Sequence, residues 1–274
     1  MKVISKNIAI PGKIHILGKL LNMRNLSAIG RIFYGISIAA IGFLTICYKD
    51  FPYMMIPPKH GWLTNHPVVT YIAGAFLLIT GACIAIGKAV RPVSLLLGTV
   101  LLLVFCFYFV PYELFVSGSY SRFSAWENAA KELTLASGAV VIAGRYPGIV
   151  LYALTIISYS IDHFIYGSQA ADYIPAWIPG HVFWIYFAGA ALLGAGIGIL
   201  LNIRREIMAT LLGTMIFIWV VILHIPKAIA NPADNTGGEV TSLFLALAYC
   251  GIAFVIAAAP APKTSQKQSM SYAR

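Results

Sequence analysis

Ionisable side chains are scarce in this chain: over 274 residues only 10% are Asp, Glu, Lys or Arg, against about 25% in an ordinary soluble domain. So few charges cannot cover a water-facing surface, and the 59% of hydrophobic residues makes lipid the expected solvent. Cysteine is also sparse. Cys47, Cys83, Cys106 and Cys250 all fall in apolar stretches, with no Cys-x-x-Cys pair. That spacing excludes a zinc framework and a thiol relay, and no metal site is expected. They read as small buried residues, although Cys47 and Cys106 both lie towards one side and a bridge between them is conceivable. A nucleotide loop and a haem-attachment motif are missing too. The first 30 positions hold Pro11, Gly12, Gly18 and scattered lysines where a cleavable leader would need an unbroken apolar core, so the first span is expected to remain as an anchor.

What the chain does have is long hydrophobic runs. Eight recur, each of about 18 to 22 residues and able to cross a hydrocarbon layer of about 30 Å as a helix. They cover Ile29 to Tyr48, Val68 to Gly87, Val93 to Tyr112, Asn128 to Gly144, Gly148 to Gly167, His181 to Leu201, Ile207 to Pro226 and Val240 to Ala259. The fourth is the weakest, because Lys131 and Glu132 stand near its start. The net charge of +10 would suit nucleic acid if it were spread over one surface. It is sorted instead: 14 of the 19 Lys and Arg lie in the N-terminal segment, the loops after the second, fourth and sixth spans, and the tail. By the positive-inside rule both termini are then cytoplasmic, the bilayer is the partner, and no nucleic acid is implied.

The runs also repeat. Tyr71 to Gly81, YIAGAFLLITG, returns as Tyr186 to Gly196, YFAGAALLGAG, and Leu96 to Thr99 returns as Leu211 to Thr214, in each case 115 positions later. The same shift carries Trp62 onto Trp177, His66 onto His181 and Pro111 onto Pro226, while Tyr34 aligns with Tyr152 after a shift of 118. The fold expected is all-α: a polytopic membrane protein of eight transmembrane helices, arranged as two parallel tandem four-helix bundles. Residues 1–28 form a basic cytoplasmic segment, 29–145 the first repeat, 146–260 the second and 261–274 a disordered basic tail. The small residues kept by both copies, among them Gly74, Gly81, Gly189 and Gly196, with Gly194 and Gly198 as a further pair, read as packing positions.

Polar residues are sorted as well. Eight of the nine acids and five of the six histidines fall on the outer side. Asp162 and His163 close the fifth span, His181 opens the sixth, His224 lies in the last turn of the seventh and Glu239 opens the eighth. All four helices of the second half therefore offer a polar group near one depth, and together with Trp177 these residues are the candidate ligand pocket. The alternative is a set of interfacial residues and helix caps. In the first half Leu44, Thr45 and Phe109 stand where the second has Asp162, His163 and His224, so His66, Glu113, Glu127 and Lys131 form only a secondary candidate, with Glu132 beside them as a structural network. Aromatic residues such as Tyr173, Trp177, Phe183 and Trp184 crowd the outer boundary, either as an interfacial belt or as faces for a planar ring.

The helix ending Asp162-His163-Phe164, the following segment Ile174 to Gly180, IPAWIPG, and Tyr186 to Ala190, YFAGA, resemble the DoxX-like membrane proteins. The resemblance covers a four-helix unit and, through the repeat, both halves. It implies a bacterial inner-membrane protein that partners membrane or soluble redox enzymes, some of them linked to quinone; with quinone as the ligand, His163 and His181 are expected to bond the ring oxygens and Asp162 to orient His163 or pass protons to the outer side. It assigns no catalytic residue. Export of a small solute and a non-catalytic membrane scaffold remain the other readings.

Overall fold

Every backbone polar group must be satisfied internally in lipid, so long apolar runs become helices. The computed structural model describes residues 11–52, 67–233 and 237–260, with side chains from residue 23 onward. His66 and the basic tail 261–274 lie outside the described residues. Eight long helices run through the rest: α1 Pro11–Tyr48, α2 Pro67–Ile86, α3 Val90–Phe115, α4 Glu127–Ile142, α5 Tyr146–Ile165, α6 His181–Leu200, α7 Arg205–Ala230 and α8 Gly238–Ala258. Seven of the described helices are long and apolar enough to cross a membrane. The other, α4, has 16 residues. The chain is a multi-pass, all-α membrane protein. Part of the expected N-terminal segment, residues 11–28, is helical and continuous with the first span.

The halves interlock instead of standing apart. α1 packs along α2 and along α8, whereas α5 packs along α6 and α4, and α4 touches α8 between them. Two tyrosines tie each half to itself across this arrangement: fully buried Tyr34 donates to the Leu135 carbonyl at 2.6 Å, and fully buried Tyr152 donates to the Tyr249 carbonyl at 2.8 Å. Close approach needs small residues. A Cβ on Gly81 would strike the α1 backbone at Ala39, one on Gly42 would sit 2.5 Å from the Gly74 carbonyl oxygen, and one on Gly138 would lie 2.5 Å from Ile252. Gly194 differs from the expected packing role, since nothing lies within 4 Å of its Cβ position. It faces a groove between α6 and α7.

α3 and α7 are broken in the same way. Each starts after a left-handed residue, Ala89 or Arg204, and each carries a π-helical turn, Phe105–Phe109 or Val220–His224. The cause is two residues further on. Pro111 and Pro226 have no N–H to donate and their rings crowd the preceding turn, so the helix widens. The Val110 N–H reaches back five residues to the Phe105 carbonyl, and the Ile225 N–H to that of Val220.

Helix ends at one face of the bundle are held by arginine. The Arg31 guanidinium donates to the Ile84 and Ala85 carbonyls at the end of α2, and Arg205 to the Ala259 and Pro260 carbonyls beyond α8. These are carbonyls at or just beyond a helix C-terminus, where acceptor capacity is left over and a cation meets the negative end of the helix.

Candidate functional site

Four helices of the second half, with α4, line an open-sided cavity of about 380 Å³. Its walls follow helical spacing. α5 contributes Ile156, Tyr159 and His163, α8 contributes Ser242, Leu245, Ala246 and Tyr249, and α6 contributes Ile185, Ala188 and Leu192; each set falls on one helix face. The widened turn of α7 ends at His224, which joins Trp219 and Leu223 on the remaining wall.

One hydrogen-bond chain crosses the cavity side of α4, α5 and α8. The Thr134 hydroxyl donates to the Ala130 carbonyl at 2.6 Å, so towards Tyr159, whose hydroxyl is 3.3 Å away, it can only accept. Tyr159 therefore donates to Thr134, and the Tyr249 hydroxyl, 3.1 Å off, donates to Tyr159. The two tyrosine rings are stacked with centroids 5.7 Å apart. This order leaves the Tyr249 oxygen as an acceptor towards the cavity. Tyr159→Phe interrupts the chain and is expected to lower stability by about 1 kcal/mol. Because the hydroxyls act in series, adding Tyr249→Phe should cost less than the sum of the single losses, as read from unfolding in mixed micelles.

Two histidines stand on the walls. His163 Nδ1 lies 2.7 Å from the Tyr159 carbonyl oxygen. A carbonyl only accepts, so Nδ1 carries the hydrogen, and in the neutral ring Nε2 is an acceptor for a ligand. His224 has a buried Nδ1 with no hydrogen-bond partner. Flat apolar surface comes from Trp184 and Trp219, whose rings meet edge to face at 6.3 Å. At the rim, Lys227 holds Glu239 at 3.8 Å and lies 3.8 Å over the centre of the Tyr173 ring. On the α4 side, Lys131 pairs with Glu127 at 2.7 Å and donates to the Asn128 side chain at 3.2 Å.

Of the residues singled out in the sequence, His163 and His224 come together on this cavity. Asp162 does not line it and does not orient His163, a place taken by the Tyr159 carbonyl, because neighbouring residues on a helix point about 100° apart. It lies instead within electrostatic reach of Glu127 and Lys131. His181, the first residue of α6 after left-handed Gly180, is likewise off the wall. Trp177 is 71% exposed and borders an adjoining apolar groove between α6 and α7, which shares Trp184, Met215 and Trp219 with the cavity. Glu239 belongs to the rim. Glu127 and Lys131, grouped in the sequence with the first half, line the second-half cavity because α4 packs against α5. Glu113 is buried, with no hydrogen-bond partner at Oε2, and lies on neither half's cavity wall. Tyr159, Tyr249 and Trp219 were not foreseen. The signal for Tyr159 was its position one turn before His163.

The described residues thus define a polytopic helical membrane protein with an aromatic, histidine-bearing cavity, and among them no cluster of His, Cys, Asp or Glu could hold a metal. No family model matches the chain, and neither a curated protein nor a solved structure matches it.

Proposed function

We propose that the second-half cavity holds the ring of a membrane quinol and that the protein serves a membrane oxidoreductase system as a quinone-interacting subunit or accessory. The observation that carries this reading is the hydrogen-bond polarity of the walls. His163 Nε2 and the Tyr249 oxygen accept, which suits the two O–H groups of a reduced quinone, while the unpartnered His224 ring can serve the opposite role. Trp184 and Trp219 supply faces for a flat ring. The likeness of Tyr152 to Gly167 and Ile174 to Gly180 to DoxX-like proteins points the same way, to redox partners in a bacterial inner membrane. Transport between the halves has no observation of its own, because α4 and α8 pack together where Gly138 meets Ile252.

The same proposal takes α4 as an eighth crossing, the halves as duplicated units, and both termini as cytoplasmic. Tyr48 donates to the Pro232 carbonyl and lies against Gly237, while Gly30 lies against Gly251. α1 and α8 are therefore antiparallel, which supports an even number of passes. Contacts from Gly148 against Ser137 and Val141 to Tyr159 against Thr134 follow α5 over roughly 10 Å of α4 at 1.5 Å per residue. Matching π turns and prolines in α3 and α7 support the duplication.

The test is a titration of the protein in lipid nanodiscs with a short-chain quinol, read as quenching of tryptophan fluorescence. His163→Ala should weaken binding about tenfold, the loss of roughly one hydrogen bond to a buried group. Equal affinity in the variant, or no quenching in the parent protein, sinks the reading.

A further inference from the structure

The first half encloses a second cavity, of about 510 Å³, with different chemistry. Its walls come from α1, α2, α3 and α4 and are almost wholly apolar, Ile41, Ala73, Leu77, Leu101 and Val104 among them. Phe109 replaces the His224 of the other half and is fully buried. The Thr45 hydroxyl is spent on its own helix, donating to the Ile41 carbonyl at 2.8 Å. Among the described residues one carboxyl group reaches this wall, that of Glu132, which is only 3% exposed.

Glu132 and Lys131 are consecutive on α4 and turn to opposite cavities. Lys131 is therefore no counter-ion for Glu132, and it pairs with Glu127 on its own side. Neither the pair of Lys131 with Glu127 nor that of Lys227 with Glu239 includes Glu132. A carboxylate facing an apolar chamber is costly unless a cation meets it. No described residue on the wall supplies that cation, so without a ligand the acid is neutralised by protonation, and a ligand that brings its own cation can meet it as the carboxylate. Leu103 and Phe107, both on the wall, are also 50% and 77% exposed on the bundle surface, so the chamber is continuous with the lipid-facing side of α3. The rings of Phe107 and Tyr108 add faces that attract a cationic head.

We propose that the first-half cavity is a binding site for a lipophilic amine, an amphiphile whose protonated amino head meets Glu132 and whose apolar body lies between α2 and α3. The site is independent of the quinol reading and uses none of the same residues. Its affinity comes from one charge-assisted contact in a medium of low dielectric and from burial of the tail.

The experiment uses the full chain in nanodiscs and an alkylamine carrying a diazirine at mid-chain, with labelled positions mapped by mass spectrometry. Crosslinks are expected on 69–77 and 100–108, to be displaced by dodecylamine and to fall at least tenfold in Glu132→Gln. Ala73→Phe, which fills the chamber while leaving the carboxyl in place, should lower them equally. Both variants should keep the parent's size-exclusion profile and melting temperature, which reports that the fold is intact whether or not the other cavity binds a quinol. The matching diazirine alcohol should label weakly and equally in the parent and in Glu132→Gln. Labelling unchanged by Glu132→Gln, equal labelling by alcohol and amine, or failure of dodecylamine to displace the label from the parent protein would each overturn the proposal.

Discussion

Gly251→Val is expected to remove most of the folded protein from a detergent extract, with the remainder less stable by about 3 kcal/mol or more. In lipid the helices gain nothing by hiding apolar surface from one another, because the acyl chains are equally apolar, and close backbone packing takes over. α1 and α8 make that packing through Gly30 and Gly251. A Cβ on either would collide with the carbonyl oxygen of the other, and Gly251 also lies against the backbone nitrogen of Tyr34. Backbone cannot move aside as a long side chain can. Separating the two helices would also pull Tyr34 from the Leu135 carbonyl and disturb the stack of Phe33 on Phe217 at 5.7 Å. The control is Gly194→Ala, whose added methyl meets nothing within 4 Å, expected to lie within about 0.5 kcal/mol of the parent. The monodisperse fraction on size exclusion and the melting temperature measure both. A Gly251→Val protein as stable as Gly194→Ala would show that α1 and α8 do not approach as described.

Spans were legible because bilayer thickness sets a length that few apolar runs reach by accident. The repeat was legible because motifs such as YIAGA and LLGT fall in register over a long stretch. How the halves interlock was not, since a helix face that meets lipid and one that meets another helix are both apolar. The consequences are visible at α4. Lys131 and Glu132 adjoin in sequence and group together there, yet the rotation of about 100° between helical neighbours sends them to different cavities. His163 and His224 stood out because a histidine is rare in an apolar helix. Tyr159 and Tyr249 did not, because a tyrosine there reads equally as core. Only the direction of the hydroxyl chain, fixed by the Ala130 carbonyl, gives them a distinct role.

Cysteine labelling across α4 should give the most clear-cut contrast. Ser121 is exposed in the loop after α3, and Tyr146, 43% exposed, opens α5. With α4 as a crossing, Ser121→Cys and Tyr146→Cys lie on opposite faces of the membrane. A membrane-impermeant maleimide applied to right-side-out vesicles should then label Ser121→Cys at least tenfold more than Tyr146→Cys, and the difference should vanish on permeabilisation. The exposed Cys47 and Cys106 are first replaced by alanine to silence the background. The polar start of α4 is no obstacle to crossing. Lys131 and Glu132 are 8% and 3% exposed, and Thr134 and Ser137 are fully buried, so these groups meet protein and cavity, where lipid would have made them costly. Sixteen residues rise about 24 Å, short of the full hydrocarbon thickness but sufficient for a helix surrounded by longer neighbours. Equal labelling of both positions from the outside would make α4 a re-entrant element. The antiparallel run of α1 and α8 would then need a different partner crossing to keep the number of passes even.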